Sequence, residues 1–369
     1  MTTTEFTLPI VGDGSGLEPD QRLYVEELQL ALRNHALPLE ALRHDVTPTG
    51  LHYTLVHYDI PLVDPTTWQL SVNGAVQRPL TLALDALKRR PARTLHVTLE
   101  CAGDGRALLS PRPLSQPWLT GAVGTAAWTG TPLRPLLEEA GLGAGVVDLL
   151  FTGLDRGIEG GIAQDYQRSL PLAEALHEDA LLAWAMNGQP LEPQHGYPLR
   201  LVMPGWYGMA HVKWLRSITA LTEPFSGYQN ALAYRYSPSR ADPGQAVTLM
   251  RVRSLLVPPG IPDFLTRMRI VERGSVLLTG RAWSGRAPVT RVEMSTDGGT
   301  SWAAAELAPA DQPHAWQAWQ YRWTPSTPGS FELLCRAADS TGAVQPLAQV
   351  WTARGMGNNM AQRVHVQVR

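Results

Sequence analysis

Residues 94–106, TLHVTLECAGDGR, alternate up to Glu100, with Leu95, Val97 and Leu99 apolar against His96, Thr98 and Glu100. That is the period of a half-buried strand. The alternation stops at Cys101, and Gly103-Asp104-Gly105 follows; glycines serve where a tight turn needs positive φ or close backbone approach. A sheet must therefore end here and turn. It leaves a thiol at a strand end, among residues too small to cover it, with the Arg106 guanidinium nearby. A cysteine that merely fills a core gap seldom needs such an open, glycine-lined approach.

The rest of the chain is broken up in the same manner. Its 369 residues include 33 glycines and 30 prolines, which favours strands joined by ordered loops. Residues 1–20 are polar and glycine-rich, an expected arm. Residues 51–61 and 68–72 are strand-like, Asn73-Gly74 is a turn signal, and 80–87 suggests a short helix. Residues 131–140 predict a helix stopped at Gly141, 146–152 a strand ending at Gly153, 170–176 a short helix and 181–186 a buried strand. A second dense patch, HGYPLRLVMPGWYGMAHVKW over 195–214, threads His195, Arg200, His211 and Lys213 through apolar residues. Around Ala241-Asp242-Pro243-Gly244 the character changes to short alternating strands with regular turns, the spacing of an immunoglobulin-type β-sandwich. Cys335 and the tryptophans 302, 316, 319 and 323 read as core and interface of that sandwich. The expected division is an arm over 1–44, a catalytic domain over 45–240 and the sandwich over 241–369.

A formal net charge of −2 gives no reason to expect nucleic acid or an anionic membrane as partner. Two cysteines allow no disulfide framework and no CxxC metal or haem motif. No run of 18 apolar residues suggests a membrane span, and the N-terminus has no basic-then-apolar leader, so a cytoplasmic location is expected, or a periplasmic one if a leader has been removed. Phosphate-binding Gly-Lys-Ser/Thr loops and GxGxxG turns are missing from the sequence. Two readings of an accessible thiol among cations stay open. Cys101 is a nucleophile with a histidine base, as in a thiol hydrolase, or it is a soft thiolate ligand to a metal carried by an anionic cofactor that arginine, lysine and histidine clamp. From a third class, a β-rich binding protein would use the sandwich alone.

Across residues 45–369 the sequence resembles the sulfite oxidase family of molybdenum-cofactor enzymes. The resemblance is carried by VTLECAGDGR, PWLTGAVGTAAWTGTPL, LLAWAMNGQPL, HGYPLRLVMPGWYGMAHVKWL, GRAWSGRAPVTRVEMSTDGGTSW and WTARGMGNNMAQRVHV, in that order. It implies an α+β protein: a mixed α/β molybdopterin domain followed by an immunoglobulin-like domain that commonly forms a homodimer. It also implies that Cys101 ligates molybdenum. His57, Asp155, Ser169, His195, Arg200 and Lys213 look like the pterin- and phosphate-binding positions. Arg106, Trp118, Tyr234 and Arg354 look like the oxyanion pocket, with Tyr234 favoured over Tyr236 by its distance from Lys213. The implied reaction is oxidation of sulfite to sulfate. Reduction of a sulfoxide or oxidation of another sulfur compound is the alternative on the same scaffold, and nitrate reduction ranks below both. No haem module is recognised in the sequence, so electrons are expected to leave to a separate cytochrome, quinone or oxygen.

Two positions depart from the family pattern. Where it reads Arg-Asn-His, this chain has Leu55-Val56-His57; a similar string, Arg33-Asn34-His35, lies too far upstream to take that place. Where it reads Cys-Ala-Gly-Asn-Arg-Arg, this chain has Cys-Ala-Gly-Asp-Gly-Arg. Two cations are gone and Asp104 adds an anion, which is expected to weaken the pull on a small dianion and raise its salt sensitivity.

Overall fold

The computed structural model describes residues 5–6, 23–239 and 241–369. The arm expected over 1–20 lies, but for residues 5 and 6, outside the described residues. Strand Arg93–Glu100 pairs antiparallel along its whole length with Val123–Pro132, which in turn pairs with Leu181–Met186. Gln189–Pro190 and Arg200–Val202 add to the far side of that last strand and complete a five-stranded sheet. Gly130 lets two of these strands approach: a Cβ there would lie 2.1 Å from the Leu182 carbonyl. A second five-stranded sheet runs Leu80–Ala83, Gln69–Gly74, Leu215–Leu221, Asp148–Glu159 and Ile162–Pro171. Helix Leu133–Ala140 buries Leu133, Leu136, Leu137 and Ala140 and stops at Gly141, whose φ of +69° suits only glycine.

Several elements differ from the sequence reading. Residues 51–61 form no strand; after a short turn at Thr49–Leu51 the chain runs extended, with one bridge from Thr54 to His35. Its backbone is braced by the string set aside above. Val56 N donates to Asn34 Oδ1 at 2.7 Å, and Arg33 Nη2 donates to Tyr58 O at 2.8 Å. The helix expected over 80–87 is strand Leu80–Ala83 and then helix Leu84–Lys88. The strand expected to end at Gly153 continues to Glu159 through a register shift between Thr152 and Arg156. Residues 34–44 are no loose arm, since Leu37, Ala41 and Leu42 join the main core.

From Arg253 onward two sheets face each other, one of four strands and one of six. Leu278, Trp319, Trp323, Val292, Leu333 and Cys335 fill the space between them. Trp316 instead packs into the core of the first domain and donates Nε1–H to Asp45 O at 2.8 Å. The C-terminal segment closes over the cysteine turn: Gly357 N donates to Ala102 O at 2.6 Å and Asn358 Nδ2 to Gly105 O at 2.9 Å. Cys101 is thus held by both halves of the chain. Among the described residues no helix is long and apolar enough to cross a membrane.

Candidate active site

Cys101 sits one residue beyond strand Arg93–Glu100, its N–H donating to Ala122 O at 2.8 Å and its carbonyl accepting from Asp104 N at 3.0 Å. Gly105 turns the chain at φ +82°, and at Gly103 a Cβ would lie 2.4 Å from the Arg106 guanidinium. The glycines anticipated from sequence are therefore required, one for the turn and one to admit the arginine. Cys101 lies in the wall shared by two hollows.

The inner hollow is lined by His57, Asp155, His195, Arg200 and Lys213, all anticipated from sequence. Arg200 donates from Nη1 to His195 O at 2.9 Å and lies 4.6 Å from the Trp128 ring centre, while its Nε has no partner. Burial lowers its pKa to about 10. Among the described residues Lys213 Nζ donates only to carbonyls, Leu55 O at 2.7 Å and Gln194 O at 2.9 Å. Burial, and then Arg200, bring Lys213 down to about 7. Burial also holds His57 neutral, at about 3, and His195, at about 2, with the neighbouring cations adding to the effect. Asp155 is pushed up to about 7 by burial against the pull of Lys213, and its Oδ1 has no donor.

Buried cations bonded only to carbonyls are costly unless an anion joins them. An unpartnered buried carboxylate oxygen calls for an N–H donor. A ring with N–H groups and a phosphate meets both demands, so the residues present fit a pterin phosphate. Anion binding would restore the charge on Lys213 and so take up a proton above pH 7. Cofactor affinity is therefore expected to fall as pH rises above 7, by up to about tenfold per pH unit. Fluorescence of released pterin against pH reads this directly, and a Lys213→Met variant should flatten the profile.

The outer hollow, about 720 Å³, is lined by Leu55, Arg106, Trp118, Glu159, Tyr228 and Arg354, among others. Arg106 is fixed from both domains, donating from Nε to Arg354 O at 3.1 Å and from Nη1 to Ser115 Oγ at 3.1 Å. Tyr234 borders both hollows, and its hydroxyl lies 2.7 Å from His57 Nε2. Burial raises the phenol pKa well above 10, so the Tyr234–His57 pair shares protons without carrying charge. Tyr236 borders neither hollow; its ring lies under Arg251, 4.3 Å from the guanidinium carbon.

Two expectations are corrected. Ser169 lies outside both hollows and donates Oγ–H to Asp148 Oδ2 at 3.0 Å, beside Asn230. The alternation of strand Ile162–Pro171 turns its side chain away from the cofactor region. Asp104 does not line either hollow, although its charge still reaches Cys101. It is buried, accepts from Ala122 N at 2.9 Å and pairs with Arg253 at 2.9 Å. Glu159, Tyr228 and Tyr166 went unnoticed in sequence. Glu159 sits at the Gly160-Gly161 hairpin, a turn signal that gives no hint of a pocket.

The nucleophile reading finds no support. Burial raises the Cys101 thiol to about 11 despite Arg106, whereas a nucleophilic thiol needs the opposite shift. A metal cation would supply the missing stabilisation of the thiolate.

Residues 57–229 match the oxidoreductase molybdopterin binding domain, and residues 245–369 match the Mo-co oxidoreductase dimerisation domain. Mitochondrial sulfite oxidase of Mus musculus is 36% identical over 345 residues, which cover 88% of this chain and 62% of that protein. The chain thus spans 62% of the length of that relative. Sulfite oxidase of Gallus gallus is 34% identical over 341 residues, 84% of this chain and 71% of that protein. The crystal structure of the sulfane dehydrogenase SoxCD from Paracoccus pantotrophus aligns with a TM-score of 0.77 at 25% identity, over 98% of this chain and 92% of that one.

Proposed function

Because this chain belongs to the sulfite oxidase family of molybdopterin-binding oxidoreductases, we propose that it transfers an oxygen atom to sulfur in a two-electron reaction, oxidising sulfite to sulfate. The observation that carries the reading is the position of Cys101 between a cation-lined inner hollow and an arginine-bearing outer one. When bound, the molybdenum cofactor supplies the oxygen-atom and electron exchange. The protein supplies its holder and its field. Arg200 and Lys213 carry the positive charge for the cofactor phosphate, Asp155 accepts from ring N–H groups, and the Cys101 thiolate is the metal ligand. His57 and His195, held neutral, give hydrogen bonds without adding charge.

In the outer hollow Arg106 and Arg354 attract the oxyanion. The Trp118 indole N–H is directed at the Cys101 sulfur, where it favours the thiolate. Tyr234 remains a phenol and donates a hydrogen bond to an oxygen presented next to Cys101. Over the whole reaction sulfite gains an oxygen from water and releases two protons and two electrons. The electrons go to a cytochrome, a quinone or oxygen, and the sandwich domain is the expected surface for a homodimer.

The test is purified protein loaded with molybdenum, assayed for metal, for pterin fluorescence after denaturation, and for sulfite-dependent reduction of ferricyanide. About one molybdenum per chain with sulfite-dependent turnover is expected. Protein that holds neither molybdenum nor pterin, or that reduces no acceptor with any sulfur substrate, refutes the reading.

A further inference from the structure

The outer hollow carries a charge pattern that suits something other than a bare dianion. Leu55, Pro113, Leu114 and Ile158 give it apolar wall, with Ile158 74% exposed. Among the described residues its charged lining is two guanidiniums, Arg106 and Arg354, and one carboxylate, Glu159; His57 adds none. The balance is one positive charge. Arg106 has already directed N–H groups at Arg354 O, Ser115 Oγ, Gln116 O and Met356 Sδ, which leaves one of its five for a ligand.

Glu159 is the unusual member. Its Oε2 accepts from Gln229 Nε2 at 2.9 Å and from Tyr58 Oη at 3.2 Å, both neutral donors. Among the described residues no cation pairs with it, yet its charge reaches Arg106 and Tyr234. A carboxylate in that place repels a dianion and favours a ligand with a cationic end.

We propose that the outer hollow takes an organic sulfinate bearing an ammonium group. Its sulfinate head lies against Arg106 and Arg354, its carbon chain against Leu55, and its ammonium against Glu159. The proposal rests on the oxygen-atom-transfer reading above and names its substrate class. A sulfinate is sulfite with one oxygen replaced by carbon: the sulfur lone pair is kept and one negative charge is removed. The reaction is R–SO2⁻ + H2O → R–SO3⁻ + 2H⁺ + 2e⁻. One S–O bond forms, both O–H bonds of water break, sulfur is oxidised by two electrons, and a one-electron acceptor takes them in two steps.

The experiment compares hypotaurine (2-aminoethanesulfinate), benzenesulfinate and sulfite as substrates of the molybdenum-loaded protein with ferricyanide as acceptor. Alongside it, calorimetry compares binding of taurine, the corresponding product, with ethanesulfonate, which lacks the ammonium. Hypotaurine is expected to exceed both other substrates in kcat/KM by roughly tenfold, chiefly through KM, and taurine to bind roughly tenfold tighter than ethanesulfonate. Glu159→Gln should raise KM for hypotaurine by a similar factor while lowering it for sulfite. Sulfite turnover without sulfinate turnover overturns the proposal and leaves the oxygen-transfer reading standing; turnover of neither overturns both. Equal binding of taurine and ethanesulfonate, or a Glu159→Gln change that affects hypotaurine and benzenesulfinate alike, reduces Glu159 to a brace for Tyr58.

Discussion

Arg253→Met is expected to destabilise this protein by about 3–5 kcal/mol, the usual cost of leaving a buried charge without its partner. Arg253 opens the first strand of the sandwich and reaches into the other domain. There it meets Glu100 Oε1 at 2.7 Å and Asp104 Oδ2 at 2.9 Å. The three side chains are 2% exposed or less. Trp283 Nε1 donates to Glu100 Oε2 at 2.8 Å, so the second domain supplies both partners of that carboxylate. Methionine has comparable length and no charge, and it would leave two carboxylates facing each other in a dry interface.

The sign of the pH dependence follows from Glu100. Burial first, and then Asp104, raise its pKa to about 7 even with Arg253 opposing. A carboxyl held above its unfolded value of 4.5 binds protons in the folded state that the unfolded chain has released. It therefore costs stability as pH climbs from about 4.5 toward 7. Without Arg253 the folded pKa rises further, so the deficit of the variant should widen between pH 5.5 and pH 8. Urea midpoints at those two values check it. A variant as stable as wild type, or a deficit that ignores pH, would mean that the carboxylates find other partners.

This cluster also shows where sequence reasoning ends. The strand before Cys101, the turn after it, the helix stopped by Gly141 and the buried strand Leu181–Met186 are local patterns, and they stand in the structure much as read. Asp104 was read as part of the pocket because the arginine it pairs with lies in another domain, and a pairing at that separation leaves no mark on nearby sequence. Residues 51–61 alternate like a strand, yet their backbone bonds go to Asn34 and Thr54 meets only His35. The same alternation serves a segment that lines a cavity. The cation-lined side of the site was legible because each residue lies within a dense local motif; Glu159 was not, since only folding brings its hairpin to the pocket.

Cys101→Ser is expected to lower turnover by about 100-fold or more, since losses of that order already follow from removing groups that merely orient a metal ligand. The fold should survive. Serine differs by one atom, in the wall of a hollow rather than in a packed interior, so a change of about 1 kcal/mol is the ordinary expectation. The two outcomes diverge because the site does little to stabilise the thiolate by itself: burial holds the thiol at about 11, with Arg106 only partly offsetting it. A bound metal supplies the rest, and a serine hydroxyl, harder and far less acidic, cannot take its place as a soft ligand. The cations of the inner hollow do not touch this exchange, so the variant should retain pterin while losing activity. Turnover, molybdenum content and pterin fluorescence measured on one preparation separate the possibilities. Pterin kept and turnover lost supports Cys101 as the ligand. Sulfite oxidation within tenfold of wild type would show that the metal is held without it.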